Sequence, residues 1–299
     1  MPKALITGVN GFLGSHLKTF LTQQNIEVFG LGRNISGDNN YYRLDLSEKE
    51  KLLELLQEIQ PEYIFHTAGI IFSRQIQDYY FTNVIGTINL LEAVVRLQYK
   101  PRVLSIGTSA EYGSIHQADL PLLEDYIERP YNHYGISKLA QTKVCLEYGR
   151  KFNLPISIAR IFNLLGSGIS QQLAVGSFVQ QIKACSDGGT IEVGNLSAAR
   201  DYLDVRDAAR MLWQIVNHSN SCEIFNVCSG KAVTMQYILQ NMIKISGKKV
   251  TIEQDLSRMK PIDLPMHYGS NKKIRKLFGK PVTFTSLEES LQTMLNYEK

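Results

Sequence analysis

The chain is poor in the residues that would staple or anchor it. Its four cysteines, Cys145, Cys185, Cys222 and Cys228, form no CxxC pair and no Cys/His ligand spacing, which argues against a zinc site or a disulfide scaffold. Six histidines are scattered without HExxH spacing, and no metal is expected. No apolar run approaches the roughly 18–20 residues of a membrane span. The opening Met1-Pro2-Lys3-Ala4-Leu5-Ile6-Thr7 is interrupted at once by Gly8 and Asn10, so it does not read as a signal peptide. The expected compartment is the cytoplasm. Charge of either sign is not in excess: 32 basic and 28 acidic side chains leave +4, dispersed too evenly for a dedicated nucleic-acid binder.

What is present is a soluble-type composition, 44% hydrophobic over 299 residues, enough for one large core or two joined lobes. Short β-branched apolar runs at 4–7, 28–31, 64–66, 103–107 and 156–161 read as strands of a parallel sheet buried on both faces. Helical-period runs at 12–24, 48–59, 83–98 and 134–151 lie between them. Strands alternating with helices argue a doubly wound, Rossmann-like α/β fold over 1–162. After Phe162 the elements shorten and mix, with a strand at 225–227 and helices at 234–246 and 286–297. Residues 163–299 are expected to form a smaller, mainly substrate-binding α/β part, with elements at about 200–230 returning to the first domain. A ligand between the two parts would lie at the carboxyl ends of the strands.

Thr7-Gly8-Val9-Asn10-Gly11-Phe12-Leu13-Gly14 follows the first strand and opens a helix. Gly8 can make the tight turn, Gly11 lets backbone N–H groups approach a diphosphate at the helix N-terminus, and Gly14 lets helix and sheet pack closely. The glycines alone would fit an ordinary turn, but the strand–turn–helix setting points to a dinucleotide. The end of the second strand should choose which one. Enzymes that use NAD usually carry an acid there; here the strand ends Leu31-Gly32-Arg33, and a guanidinium suits a 2′-phosphate. NADP(H) is therefore favoured, with NAD(H) left open.

Tyr134 and Lys138 stand four apart at the start of a helix and share a face. A lysine cation beside a phenol favours phenolate, making tyrosine a usable acid or base. Tyr268 and Lys272 have the same spacing but sit in a Gly-rich turn late in the chain. A hydroxyl at the end of the fourth strand, from Thr108 or Ser109, would polarise a carbonyl while Tyr134 moves the proton.

Together these motifs resemble the extended, nucleotide-sugar-modifying branch of the short-chain dehydrogenase/reductase superfamily, and the resemblance spans essentially the whole chain. It includes His66-Thr67-Ala68-Gly69, Asn83-Val84-Ile85-Gly86-Thr87, Ala159-Arg160-Ile161-Phe162-Asn163 and Arg200-Asp201-Tyr202-Leu203-Asp204. It implies that Thr108, Tyr134 and Lys138 are catalytic. It implies that Gly8, Asn10, Gly11, Phe12, Leu13, Gly14, Arg33, Asp45, Leu46, Thr67, Ala68, Gly69, Asn83, Tyr134 and Lys138 hold the cofactor. Ser109, Ala110, Asn163, Phe178, Val193, Asn195, Arg200, Arg258 and Lys260 would hold the substrate. Arg258-Met259-Lys260-Pro261-Ile262-Asp263-Leu264-Pro265 is similar to a pattern of the GDP-sugar enzymes, whose cations meet a diphosphate.

Within the branch the resemblance is to the GDP-4-keto-6-deoxy-D-mannose reductases, implying hydride transfer to C4 and GDP-D-rhamnose, or its talo epimer, as product. Dehydratases of the branch carry an acid where this chain has Ala110, and Glu111, one place on, should point elsewhere. A C4 epimerase with tightly held NAD and a non-catalytic NADP-sensing protein are the competing readings. Leu164-Leu165-Gly166-Ser167-Gly168 and the apolar Ile70-Ile71-Phe72 depart from the reductase pattern and should line the sugar pocket. A homodimer paired through the helices at 83–98 and 134–151 is expected, as is common in the superfamily.

Overall fold

The computed structural model describes residues 1–34, 36–219, 222–259, 264–279 and 282–297. In chain order the first elements are β1 (Lys3–Thr7), α1 (Phe12–Gln23), β2 (Glu27–Gly32), β3 (Tyr41–Arg43), α2 (Lys49–Ile59), β4 (Tyr63–His66) and α3 (Ile76–Tyr80). A π-helical turn, Phe81–Ile85, leads into α4 (Gly86–Val95), then β5 (Arg102–Thr108), α5 (His133–Phe152), β6 (Ile156–Ile161) and β7 (Asn163–Leu165). The remainder comprises α6 (Ala174–Ala184), β8 (Thr190–Val193), β9 (Ala199–Asp204), α7 (Val205–His218), β10 (Glu223–Val227), β11 (Ala232–Thr234) and α8 (Met235–Ser246). The chain closes with β12 (Thr251–Gln254), β13 (Met266–His267), α9 (Lys272–Phe278) and α10 (Leu287–Asn296).

Seven strands form one parallel sheet in the order β10-β6-β5-β4-β1-β2-β3. Strand order reverses beside β1, so the carboxyl ends of β1, β4 and β5 open onto a crevice. The central strands are apolar because both faces are covered. Leu17 and Leu21 of α1 and Met211, Leu212 and Ile215 of α7 share one buried cluster on one face. Leu52 and Leu56 of α2, Leu90 and Val94 of α4 and Leu146 of α5 fill the other.

The elements between 200 and 230 are β9, α7 and β10, of which β10 extends the main sheet and α7 packs on α1. The chain returns a second time: Ile274, Leu277, Phe278 and Phe284 pack into the α1/α7 cluster. The sequence reading lacked that return, because α9 is only seven residues long. It also lacked β3, a three-residue edge strand with no apolar alternation. The helix expected at 83–98 begins earlier, at Ile76, and is interrupted by the π turn around Asn83. The second part is small: β9 is flanked by β7, β11 and β13, with β8 and β12 paired beside α6 and α8. Among the described residues no helix is long and apolar enough to cross a membrane.

Gly14 sits inside α1, where alanine would ordinarily gain about 1 kcal/mol of helix propensity. A Cβ there would stand 2.4 Å from the Gly8 carbonyl oxygen and 2.8 Å from Val9 Cα, both backbone atoms that cannot swing aside. We therefore expect Gly14→Ala to destabilise the protein by about 1–3 kcal/mol, as overpacking does, read as a lower urea midpoint. A midpoint at or above wild type would contradict this packing.

Candidate active site

The crevice begins at a turn that only glycine can make. Gly8 has φ +71° and donates its N–H to the Leu31 carbonyl at 2.7 Å; Gly11 donates to Gly8 O at 2.9 Å. A Cβ on Gly8 would lie 2.8 Å from Ala68 Cα, so the turn presses directly on the loop after β4. Thr67 Oγ1 donates to Thr7 O at 2.6 Å, and Ala68 N to Thr7 Oγ1 at 3.2 Å, tying that loop down. Gly11 is the N-cap of α1 and no side chain caps the helix. Bare backbone N–H groups at a helix N-terminus, in a cradle with no room for a Cβ, fit a dinucleotide diphosphate.

His66 is buried beneath the loop, its Nδ1 2.8 Å from Thr7 Oγ1 and its Nε2 2.8 Å from Thr87 Oγ1. Thr87 donates its own proton to Asn83 O, so Nε2 is the ring's donor and Nδ1 its acceptor. Burial, reinforced by the Lys138 cation, pushes the imidazole down to about 3, so it is neutral. Asn83, also buried, accepts from Ile70 N at 3.0 Å and donates to Ser137 Oγ at 3.0 Å, joining the loop to α5.

The residues proposed for the far end of a dinucleotide gather beyond the glycine turn. Arg33 is exposed after β2, and its carbonyl accepts Arg43 Nε at 3.2 Å, placing a second cation beside it that the sequence reading did not name. Asp45 is held below the usual carboxylate range, chiefly by the Ser47 N–H and in smaller part by Arg33. The Leu46 side chain is buried in the core and its carbonyl accepts Asn89 Nδ2 at 2.9 Å, so Leu46 offers a ligand main chain rather than side chain. Asn10 is exposed on the turn.

Asn132 starts α5 by accepting the Gly135 N–H at 2.8 Å, which sets Tyr134 in the first turn and Lys138 in the second. Thr108 ends β5 and opens the short 3-10 turn Ser109–Glu111; its hydroxyl accepts the Ala110 N–H at 3.3 Å. Thr108 and Tyr134 line the same cavity, and the Thr108 side chain favours the ionised form of the Tyr134 phenol. Ser109, the other candidate hydroxyl, and Ala110 also line the cavity, whereas Glu111 is fully buried behind it.

Burial pushes the Tyr134 phenol up to about 12, opposed by Thr108 and helped by Glu111 and Tyr79. The expected lowering by Lys138 does not occur. Lys138 Nζ is drawn instead to Ile106 O and Gln141 Oε1, both at 2.5 Å. Its ammonium is itself pushed down to about 8 by burial, with the Glu111 charge opposing. Tyr134 is thus a protonated phenol at neutral pH, poised as a proton donor.

One cavity of about 940 Å³, the size of a small-molecule site, takes in Gly8, Gly11, Phe12, Leu13, Gly14, Thr67 and Gly69 on one side and Thr108, Tyr134 and Lys138 on its floor. Its other wall holds Asn163, Phe178, Val193, Asn195, Arg200 and Arg258. Asn163 Nδ2 donates to Asp201 O at 3.0 Å, and Arg200 donates to Ala199 O and Leu264 O at 2.8 and 2.7 Å. Arg258 pairs with Glu192 at 2.8 Å and Asp255 at 3.1 Å. Lys260 lies outside the described residues. Ile70, Ile71 and Phe72 add an apolar stretch to the lining. Tyr131 and His267 are lining residues that sequence reasoning missed. His267, tilted against Phe162 with ring centroids 5.5 Å apart, is pushed down to about 4 by burial and the Arg200 charge. Its only signal was a place two residues after Pro265.

A model of the NAD dependent epimerase/dehydratase family matches residues 4–228. The GDP-6-deoxy-D-mannose reductase of Pseudomonas aeruginosa is 28% identical over 98% of this chain and 96% of that protein. The GDP-6-deoxy-D-talose 4-dehydrogenase of Aggregatibacter actinomycetemcomitans is 30% identical over the same shares, 98% and 96%. The solved structure of RMD from Pseudomonas aeruginosa complexed with NADPH superposes with a TM-score of 0.87 at 28% identity, covering 99% of this chain and 98% of that one. From the glycine cradle through the β10 edge of the sheet, the chain belongs to the NAD dependent epimerase/dehydratase family.

Proposed function

We propose that this protein is an NADPH-dependent 4-keto reductase that converts GDP-4-keto-6-deoxy-D-mannose to GDP-D-rhamnose or its talo epimer. The observation that carries the reading is the protonated Tyr134 phenol, lining with Thr108 and Lys138 the same cavity as the glycine cradle and Arg200. Two relatives that cover nearly the whole chain are named for GDP-6-deoxy-hexose redox chemistry at similar identity, which supports the GDP-sugar class. NADPH in the similar solved structure, together with Arg33 in place of an acid after β2, supports NADP(H) and weighs against an epimerase that retains NAD. The apolar Ile70, Ile71 and Phe72 suit a C6 methyl better than a hydroxymethyl, whose hydroxyl they would leave unpaired. Ala110 in the cavity, with Glu111 turned away from it, supports reduction over dehydration.

Gly8, Gly11 and the α1 N-terminus would hold the cofactor diphosphate, and Arg33, with Arg43 beside it, the 2′-phosphate. A bound reduced nicotinamide supplies the hydride. Tyr134 gives its phenolic proton to the C4 oxygen as that oxygen gains charge. The Thr108 hydroxyl hydrogen-bonds the same oxygen, and the Lys138 ammonium would hold the cofactor ribose beside the phenol. Arg200 and Asn163 hold the sugar nucleotide, and Arg258 reaches its diphosphate by exchanging Glu192 or Asp255 for phosphate oxygens. Exposed Ile85 and Ile136, on the segments expected to pair two copies, and Phe81 just before the first of them, support a homodimer.

The test is NADPH oxidation with freshly made GDP-4-keto-6-deoxymannose beside the dTDP-4-keto-6-deoxyglucose analogue. Turnover of the GDP sugar alone is expected, and no turnover of it would end this reading. Tyr134→Phe should lower kcat by roughly 10²–10⁴-fold while NADPH binding changes little; retained turnover would remove Tyr134 as the donor. Arg33→Ala should weaken NADPH binding by roughly 10- to 100-fold, the worth of a charge-assisted hydrogen bond of about 1.5–3 kcal/mol, and leave NADH binding unchanged. Equal losses for both cofactors, measured by fluorescence titration, would show that Arg33 does not read the 2′-phosphate.

A further inference from the structure

Directly behind Thr108 lies a buried ionic cluster that the reaction described above does not use. Glu111 is fully buried, and each of its partners donates to it: Thr108 N at 2.8 Å, Thr142 Oγ1 at 2.9 Å and Arg160 Nε at 3.0 Å. Arg160, equally buried, pairs outward with Glu128 at 3.0 Å and lies over the Tyr112 ring at 4.6 Å. Space for the carboxylate is reserved in β5, since a Cβ on Gly107 would stand 2.6 Å from Glu111 Oε1. Three donors and no acceptor face the group, so it is a carboxylate although burial pushes its pKa up.

We propose that Glu111 is a positioning residue: its carboxylate fixes the strand end that carries the Thr108 hydroxyl to Tyr134, and it supplies the buried negative charge that balances Lys138. The first half rests on the bond from Thr108 N, which with the Thr108–Ala110 bond closes a reciprocal cap around residues 108–111. The second rests on what surrounds the ammonium. Its two contacts, Ile106 O and Gln141 Oε1, are uncharged. The titratable groups acting on it or beside it are Glu111, Cys145, His66 and Tyr134. Burial holds Cys145 as a thiol, at about 11, and His66 as neutral imidazole, and Tyr134 is a phenol. Glu111 is the charged one.

The inference rests on the proposed roles of Thr108, Tyr134 and Lys138 in the reduction, and its test has one arm that needs no sugar. In full-length protein with NADP⁺ bound, the 13Cε signal of Lys138, assigned with Lys138→Arg, is titrated in wild type, Glu111→Gln and Glu111→Asp. Glutamine keeps an acceptor for Thr108 N and loses the charge; aspartate keeps the charge and loses the reach. Glu111→Gln should move the Lys138 titration down by roughly one unit or more, and move the alkaline limb of the reduction-rate profile with it, because the active ammonium is lost at lower pH. Glu111→Asp should leave the titration in place and cut kcat between roughly tenfold and a hundredfold, with the KM for NADPH little changed. An unmoved Lys138 titration in Glu111→Gln overturns the charge role, and wild-type kcat in Glu111→Asp overturns the positioning role. Should Glu111→Gln not fold, Glu111→Asp still decides, since a merely structural carboxylate predicts lost stability without a selective loss of kcat. A wild-type protein that ignores the GDP sugar would sink the substrate assignment and leave the NMR titration to decide the role of the charge.

Discussion

Everything in the cleft depends on how closely the ends of β1 and β4 are brought together. Adding one carbon to Gly8 would put it 2.8 Å from Ala68 Cα, and adding one to Gly14 would put it 2.4 Å from Gly8 O. That crowding leaves backbone, rather than side chains, facing the start of α1. It also fixes the loop that follows β4. Thr7 and Thr67 bind the loop from one side and Asn83 from the other, through Ile70 N. The π turn at Phe81–Ile85 serves the same end, carrying Asn83 at the point where the helix departs from regular geometry. A cofactor cradle and a substrate wall therefore share one rigid edge.

Proton chemistry in such a place requires buried polar groups, and unpaired buried charge is expensive. Each ionic group near the floor is answered. Glu111 meets Arg160, Arg160 meets Glu128, and Glu128 meets Lys143 near the surface. His66 avoids the cost by staying neutral between two threonine hydroxyls. Lys138 touches only two neutral oxygens and is pushed down to about 8 by burial, with the Glu111 charge opposing. Burial moves Tyr134 and Lys138 in opposite directions, each toward its uncharged form.

Much of this was legible in the sequence because it lies on regular elements. The parallel strands announce themselves by short β-branched runs, and Gly8, Gly11 and Gly14 announce the turn by spacing and position. Tyr134 and Lys138 share a helix face, which four-residue spacing gives directly. What spacing cannot give is the direction in which a flexible amine points. Lys138 has the right position, yet Ile106 O and Gln141, on different elements, set its orientation and leave the phenol unassisted by it. The same limit hid His267 and Arg43, which are brought to the cavity lining and to Arg33 respectively only through pairing of short strands, β13 with β9 and β3 with β2. The second return of the chain to the main domain was hidden as well, because Ile274, Leu277 and Phe278 span barely more than one helical turn and Phe284 stands alone beyond them.

The central claim is that the cleft holds a keto sugar so that C4 is reduced while Tyr134 protonates its oxygen. The most direct measurement uses NADPH carrying deuterium at the transferable C4 position of the nicotinamide, with the sugar product read by NMR. The account predicts one deuterium at C4 of the product sugar and the proton of the new hydroxyl derived from solvent. Deuterium absent from sugar C4, or present at another carbon, would contradict it.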